Sequence, residues 1–224
     1  MDLQVISSLA IKGAYLDLVP TFEKRSGNKV ATQWVGMADI RKRMQAGETV
    51  DVVIGSAALI EDLARGGTLA HQVNLAQSGV GAAVRAGAPK PDIGSVESLK
   101  RALRAARSIV YSSGPSGVYL AQLFQRLGIA EELKNTARQL PPGVLVAEVV
   151  ARGEAELCFQ QLPELRQVSG IDYVGPLPAE VQSITMFSGA LHSKAKQPDA
   201  GKALLAFLAS NEALPVLRQK GFDG

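Results

Sequence analysis

The chain reads as an α/β protein of two lobes, each a mostly parallel sheet flanked by helices. Three observations carry that expectation. Strand-like and helix-like segments alternate from Leu3 to Arg65, and again from Ser108 to Phe159. Val50-Asp51-Val52-Val53-Ile54 is a nearly continuous apolar run, the mark of a parallel strand covered on both faces. A short apolar strand that ends in serine and opens a helix occurs twice, at Val5-Ile6-Ser7-Ser8-Leu9 and at Ser112-Ser113-Gly114-Pro115-Ser116-Gly117.

In chain order, Leu3 to Ile6 reads as the first strand and Leu9 to Lys24 as a helix, stopped by Ser26-Gly27-Asn28. Lys29 to Val35 alternates as a strand, and Ala38 to Ala46 is a short helix closed by Gly47. The apolar run at 50–54 follows, then a helix from Ala58 to Arg65 closed by Gly66-Gly67. Val80 to Arg85 is the next strand. Ser95 to Ala106 is a helix with Ser95 at the N-cap position and Ser98, rather than glutamate, three residues on. The second alternation comprises a strand at 108–111, helices at 117–127 and 144–151, and a strand at 156–159. Tyr173 to Pro178 reads as a connector, Ser183 to Leu191 as a strand, and Pro198 to Ala209 and Asn211 to Lys220 as helices. The tail is too short to fold alone and most simply returns to the first lobe. Lobe 1 is thus expected at 1–82 plus 183–224 and lobe 2 at 83–182, with hinges near 80–86 and 172–182.

The 224 residues suffice for two lobes of about 100 residues each. Hydrophobic residues at 46% and charged residues at 20% fit a globular protein, and no apolar run reaches the length of a membrane span, so no membrane insertion is expected. The net charge of +3 is a weak pull on anions. Lys100, Arg101, Arg104 and Arg107 recur at helical spacing and read as a solvated face. Aromatics are 5% and do not interleave with basic residues, so the stacking platforms of a nucleic-acid binder are missing and no nucleic-acid partner is expected. Cys158, the one cysteine, sits in a strand-like run and reads as a buried small hydrophobe. His71 and His192 belong to no metal-ligand spacing. Dinucleotide, P-loop, nucleophile-elbow and zinc-protease motifs do not occur, so neither a metal nor a cofactor is expected.

Serine and glycine at a strand-to-helix junction present free backbone N–H groups, hydroxyl donors and the positive end of a helix dipole, which together suit an anion. In open α/β sheets ligands bind beyond the carboxyl ends of strands, where both junctions fall. Ser7, Ser8, Ser112, Ser113, Ser116 and Gly117 are therefore the first candidates, although Ser7 and Ser8 also read as a plain helix cap. Arg85 ends a strand and reads either as a bidentate holder of a carboxylate or as a surface charge. Gln160 and Gln161 end a buried strand and need partners. Trp34 reads as a cleft or a core residue. Tyr111 and Tyr119 read as packing residues with hydroxyls toward the cleft, and Glu164, after Pro163 in an expected loop, as a solvated carboxylate; these three are the candidates for proton transfer.

Ser7-Ser8-Leu9, Phe22-Glu23-Lys24-Arg25-Ser26-Gly27, the run Met44 to Ala57 with its Ala46-Gly47…Asp51 core, Pro115-Ser116-Gly117 and Leu217 to Phe222 together resemble the molybdate-binding type of periplasmic solute receptor, a two-lobed family. The resemblance covers nearly the whole chain. It implies a receptor that closes its lobes on an anion, with Ser8 as the first-lobe donor and Ser116 at the second-lobe helix start. It departs at Gly36-Met37, where the family carries a second hydroxyl, and near Gln160-Gln161, where a tyrosine is replaced. Gly36, Met37 and Gly143 join the expected ligand set. Added amides suit a di- or tricarboxylate better than a compact tetrahedral oxyanion. Gly81 to Pro89, Ser116 to Tyr119, Phe159 to Leu165 and Val181 to Thr185 look like a subgroup of the same fold that includes bacterial aconitate isomerase.

These resemblances imply two functions. One is a monomeric solute-binding protein that captures a small anion for an ABC-type permease. The alternative is an isomerase of cis- and trans-aconitate on the same scaffold. Met1-Asp2-Leu3-Gln4-Val5 enters the first strand at once, so no leader is read. The chain is then cytoplasmic, or periplasmic after loss of a leader, the compartment that the resemblance favours.

Overall fold

A computed structural model describes residues 2–223; Met1 and Gly224, the ends of the expected first lobe, lie outside the described residues. The chain forms two compact units, Met1–Ser78 with Thr185–Gly224, and Gly79–Ile184.

In the first unit β1 (Leu3–Ser8) leads through a single 3-10 turn, Leu9–Ile11, into α1 (Lys12–Ser26). Gly27, at φ +71, ends α1 in the left-handed conformation that glycine adopts without strain. β2 (Val30–Val35), α2 (Met37–Gln45), β3 (Val52–Ser56) and α3 (Ala57–Arg65) follow. β1 pairs in parallel with β2 and with β3, with Ser8 opposite Val35 and Ser7 opposite both Trp34 and Ile54. The returning β9 (Ile184–His192) pairs antiparallel to β3, with Ser56 opposite Phe187. The first part of β4 (Leu69–Arg85) lies beside β9, where Ser188 Oγ donates to Asn74 Oδ1 at 2.8 Å.

Alternation along the strands divides the core. Leu3, Val5, Val52 and Ile54 face α1, α9 (Pro198–Leu208) and α10 (Leu214–Gln219), whereas Ile6 and Val53 face α2 and α3. Burial on both faces is why β3 lacks the in–out polar pattern of a half-exposed strand. Asp51, buried just before β3, accepts N–H bonds from Gln4, Lys196 and Gln197 at 2.7–2.9 Å and so ties the strand's entry to the chain before α9.

The second unit repeats the plan. The parallel strands are β5 (Ile109–Tyr111), β6 (Ala137–Gln139) and β7 (Leu157–Gln161), in the order β6-β5-β7. The second half of β4 runs antiparallel to β7, and β8 (Ile171–Pro176) antiparallel to β4. Val80, Ala82, Ile109, Leu157 and Phe159 pack on the side of α4 (Val96–Ala105), α5 (Pro115–Arg126) and α6 (Ala130–Leu133). Ala83, Val110 and Cys158 face α7 (Val146–Ala151) and α8 (Leu162–Leu165).

Three strands differ from the sequence expectation. β4 starts at Leu69, well before Val80, because its first half is polar on one side and does not read as an apolar run. β6 is only three residues long and is half-exposed to exposed, so it carries no hydrophobic signal. The expected connector at 173–178 is largely β8, an edge strand that tolerates Gly175 and Pro176 at its end. At α4 the full reciprocal capping box forms with serine in place of glutamate: Ser95 Oγ accepts from Ser98 N, and Ser98 Oγ accepts from Ser95 N. The chain enters the second unit between Ser78 and Gly79, inside β4, and leaves it between Ile184 and Thr185, at the start of β9. Within the second unit Gln182 braces the entry, its Oε1 accepting from Val80 N at 2.8 Å and its Nε2 donating to Val80 O at 3.0 Å.

Candidate functional site

In each unit three parallel strands end on one edge, and each strand end feeds a helix. That edge gathers most of the candidate residues.

On the first unit's edge β1 ends at Ser7 and Ser8, β2 at Val35 before Gly36, and β3 at Ser56. Ser7 is fully buried and its Oγ donates to Ser8 O at 3.2 Å. Ser8 is 3% exposed, and its hydroxyl has no hydrogen-bond partner among the described residues. It stands at the N-cap of the 3-10 turn but makes no side-chain cap. A plain cap is therefore not its role. A buried hydroxyl left unpaired costs roughly 1–3 kcal/mol, so such groups are normally satisfied. Gly36, at φ −71 and ψ 157, opens α2 without a side-chain cap.

Met37 stands where a hydroxyl was missed in the sequence. Its thioether accepts the N–H of Ser56 at 3.4 Å, so sulfur takes a backbone donor on this edge. Ser56 was not among the sequence candidates. It is 8% exposed and caps α3, accepting from Leu59 N at 3.4 Å. Its signal was available, since it ends an apolar strand and opens a helix as Ser8 does. Trp34, abreast of Ser7, packs edge-on against Tyr15 with ring centroids 5.2 Å apart, and the Lys12 ammonium lies 5.8 Å over its ring.

The second unit's edge is fully wired. Ser112 and Ser116 are buried and share a hydroxyl–hydroxyl bond of 3.0 Å across the turn that opens α5. Gly114 is the N-cap and Pro115 the first helical residue, a position where proline's fixed φ fits. A Cβ at Gly117 would overlap the carbonyl oxygen of Ser112, so only glycine lets the helix start close on the strand end. That carbonyl also accepts from Gln139 Nε2 at 3.1 Å, bringing in a second residue that the sequence did not mark. Ser113 is half-buried in the same turn, and Gly143, at φ +83, lies in the loop from β6 to α7.

The register Tyr111 opposite Phe159 places Ser112 beside Gln160. Both Gln160 and Gln161 are buried. Gln160 Oε1 accepts from Val146 N, at the start of α7, at 3.1 Å. Its amide nitrogen is then left to donate to Glu164, whose carboxyl also accepts from Gln161 N. Glu164 is not the solvated loop carboxylate that the sequence suggested. It lies on the helical turn α8, half-buried. Burial pushes its carboxyl up to about 7, and the bonds from Gln160 and Gln161 pull partly back.

Two expected residues, Arg85 and Tyr119, are not brought to this edge, and a third, Tyr111, ends β5 there with its ring turned away. Arg85 ends β4, which runs antiparallel to β7 with Val84 opposite Leu157, so it lies at the other end of the strands from Gln161. There it lines a cavity of about 570 Å³ with Lys90, Arg107 and Glu156. Tyr111 turns onto Phe124, ring centroids 5.7 Å apart. The Tyr119 hydroxyl donates to Val181 O and accepts from Arg126 Nη2, both at 2.8 Å, so its proton is committed to a backbone carbonyl. Cys158 is fully buried, and burial pushes its thiol up to about 12, which leaves it inert as a nucleophile. Among the described residues no helix is long and apolar enough to cross a membrane.

The sequence model of a family described as bacterial extracellular solute-binding protein matches residues 3–223. An aconitate isomerase from Pseudomonas sp is 40% identical over 227 residues, covering 98% of this chain and 86% of that protein. Among solved structures, the periplasmic molybdate-binding protein of Azotobacter vinelandii superposes with a TM-score of 0.82 at 17% identity, covering 99% of this chain and 98% of that one. The sulfate-binding protein SubI of Mycobacterium tuberculosis gives 0.79 at 18% identity, covering 99% of this chain and 86% of that one. At such identities the two structures speak for the two-lobed fold alone.

Proposed function

The chain belongs to the bacterial extracellular solute-binding protein family, and from that premise we propose that it binds a small tricarboxylate and interconverts the cis and trans isomers of aconitate. The support is the 40% identity to an aconitate isomerase, which spans 98% of this chain and 86% of that protein. The observation that carries anion binding is the Ser8 hydroxyl, 3% exposed and unpaired among the described residues. A carboxylate oxygen is an acceptor that would satisfy it. In the other unit, Ser112, Ser116 and the backbone N–H groups at the start of α5 form a separate set of neutral donors. Hydrogen bonds to a charged acceptor contribute roughly 1.5–3 kcal/mol each, so several can hold an anion without a counter-charge. In the proposed reaction the same donors stabilise the negative charge that develops on a substrate carboxylate as an allylic proton leaves.

A second reading rests on the family itself. The protein would then be a receptor that captures the tricarboxylate by closing its lobes and delivers it to a membrane permease, in which case it works in the periplasm. One experiment separates the two. The purified protein is incubated with trans-aconitate and followed by proton NMR, beside a thermal-shift panel of trans-aconitate, cis-aconitate, citrate, molybdate and sulfate. A thermal shift with the aconitates and formation of the cis isomer supports the enzyme. A shift without conversion overturns the enzyme and leaves the receptor. A shift with molybdate or sulfate alone overturns the tricarboxylate assignment altogether.

A further inference from the structure

We infer that Glu164 is the base that takes and returns the allylic proton, and that Gln160 is the residue that positions it; this rests on the isomerase reading above. The geometry is confined to the second unit. Glu164 follows β7 directly, on the edge where β5 delivers the paired hydroxyls of Ser112 and Ser116. Its carboxyl is fixed at two points, by the Gln160 side chain and by Gln161 N. Gln160 in turn is locked, because its carbonyl end is taken by Val146 N at 3.1 Å. A carboxylate held this way keeps a lone pair in a constant direction, on the same strand edge as the Ser112 and Ser116 hydroxyls, and proton abstraction from a bound substrate requires that fixed direction.

The other acids of this unit are placed for different work. Glu132, Glu154 and Glu156 are paired with Arg104, Arg152 and Arg107, which hold their carboxyls below the usual range. Asp92 and Asp172 accept backbone N–H bonds from Gly94 and Gly87 in loops. Glu97 pairs with Lys100 on its own helix and Glu131 with Lys134, the C-cap of α6. Glu148 and Glu180 are exposed. The histidines at 71 and 192 both belong to the first unit. Glu164 is also the acid whose carboxyl is pushed up to about 7, near the value at which a general base works best in neutral solution.

The step balances without a co-reactant. Glu164 removes a proton from the methylene carbon of aconitate. The C–H electron pair moves toward the neighbouring double bond and carboxylate, giving an anion delocalised over three carbons and that carboxylate. The protonated Glu164 then returns a proton to the former vinyl carbon, the double bond settles one position along, and the isomer has changed. No oxidant, reductant or second substrate enters.

The test compares wild type with Glu164→Gln, Glu164→Asp, Gln160→Ala and the surface control Glu154→Gln. Conversion of trans-aconitate is followed by proton NMR in D2O and binding by thermal shift. Glu164→Gln is expected to lose about 10²–10⁴-fold in kcat while the thermal shift persists, the range that general acid–base catalysis supplies. Glu164→Asp, which keeps the acid but withdraws it by one methylene, should retain an acid limb in its pH–rate profile at reduced kcat, and answers the question if the glutamine variant does not fold. Gln160→Ala should move the acid limb to higher pH, because the lost amide donor favoured the carboxylate. A merely structural role would lower activity without moving that limb. Glu154→Gln should match wild type. Glu164→Gln within tenfold of an active wild type overturns the assignment of the base alone. A wild type that binds trans-aconitate but forms no cis isomer and takes up no deuterium overturns the base together with the isomerase reading.

Discussion

The two serine-bearing strand ends share a local plan and differ in wiring. In the first unit, Ser8 ends β1 with a buried hydroxyl that has no partner among the described residues, and its neighbour Met37 offers sulfur instead of oxygen. In the second, Ser112 and Ser116 satisfy each other, Gln139 holds the Ser112 carbonyl, and Gln160 links α7 to Glu164. An idle hydroxyl awaits an acceptor from outside. A closed network holds its members still. On the proposed reading the idle hydroxyl serves binding and the closed network holds Glu164 in place, and the comparison can be broken by substitutions that treat the two edges alike.

The largest difference should appear at glycine. Alanine at Gly117 places a Cβ on the backbone carbonyl of Ser112, where neither strand nor helix can yield without opening the Ser112–Ser116 bond. We expect Gly117→Ala to destabilise by about 3 kcal/mol, the upper end of overpacking, and to lower the thermal midpoint by roughly 6–12 °C for a chain of this size. Gly55 on the first edge is the control. A Cβ there meets only side-chain tips, Leu59 Cδ2 at 3.2 Å and Met37 Sδ at 3.3 Å. Gly55→Ala should cost less than about 1 kcal/mol. Equal costs in thermal unfolding would mean that the second edge is no more rigid than the first.

Ser8→Ala sharpens the comparison from the other side. Removing an unsatisfied buried hydroxyl should leave the unliganded protein as stable as before or up to about 1 kcal/mol more stable. Ligand affinity should nonetheless fall about 10- to 100-fold, the loss of one hydrogen bond to a charged acceptor. Calorimetric titration beside thermal unfolding reads both. Lower stability with unchanged affinity would make Ser8 a structural residue.

The proton balance of Glu164 provides a third test. Its carboxyl sits at about 7 in the folded protein against 4.5 for the ordinary group, so between these values the folded state holds more protons than the unfolded one. Stability contributed by this group is full below pH 4.5 and is lost as pH rises through 7. Discounted for its partial exposure, the loss should be about 2 kcal/mol. Glu164→Gln should lack that slope in urea unfolding across this window. A parallel dependence in wild type and variant would remove Glu164 as the titrating group.

The fold was legible where the chemistry is periodic. The run at 50–54 announced a strand buried on both faces, and Ser8 and Ser112 were marked by a hydroxyl at the end of an apolar strand, with Ser116 at the helix start that follows. What was not legible depended on geometry that local pattern does not hold. Arg85 looked like a ligand because it ends a strand, but antiparallel pairing sends the end of β4 to the opposite edge from the ends of β5 and β7. Glu164 looked solvated because Pro163 suggested a loop; the proline instead opens a helical turn that folds the acid back under two buried amides. Gln139 was hidden by a strand of three residues with no apolar signature. Ser56 ends an apolar strand and opens a helix as Ser8 does, so its signal lies in the sequence.

The smallest expected effect is also the most direct comparison of the two edges. Ser116→Ala removes one partner of a buried hydroxyl pair and leaves Ser112 Oγ without its 3.0 Å bond. The unliganded protein should lose about 1 kcal/mol, the opposite sign to Ser8→Ala. The two substitutions delete the same atom, but Ser8 is in extended backbone at the end of β1 and Ser116 is inside α5, where alanine favours the helix by up to about 0.5 kcal/mol. A loss of stability at Ser116 despite that gain would show that the fold itself uses the hydroxyl. The double variant should show additive stabilities, because the two residues lie in different units and the Ser116 hydroxyl is bonded within its own unit to Ser112. An interaction of more than about 0.5 kcal/mol in the double-variant cycle would overturn that independence.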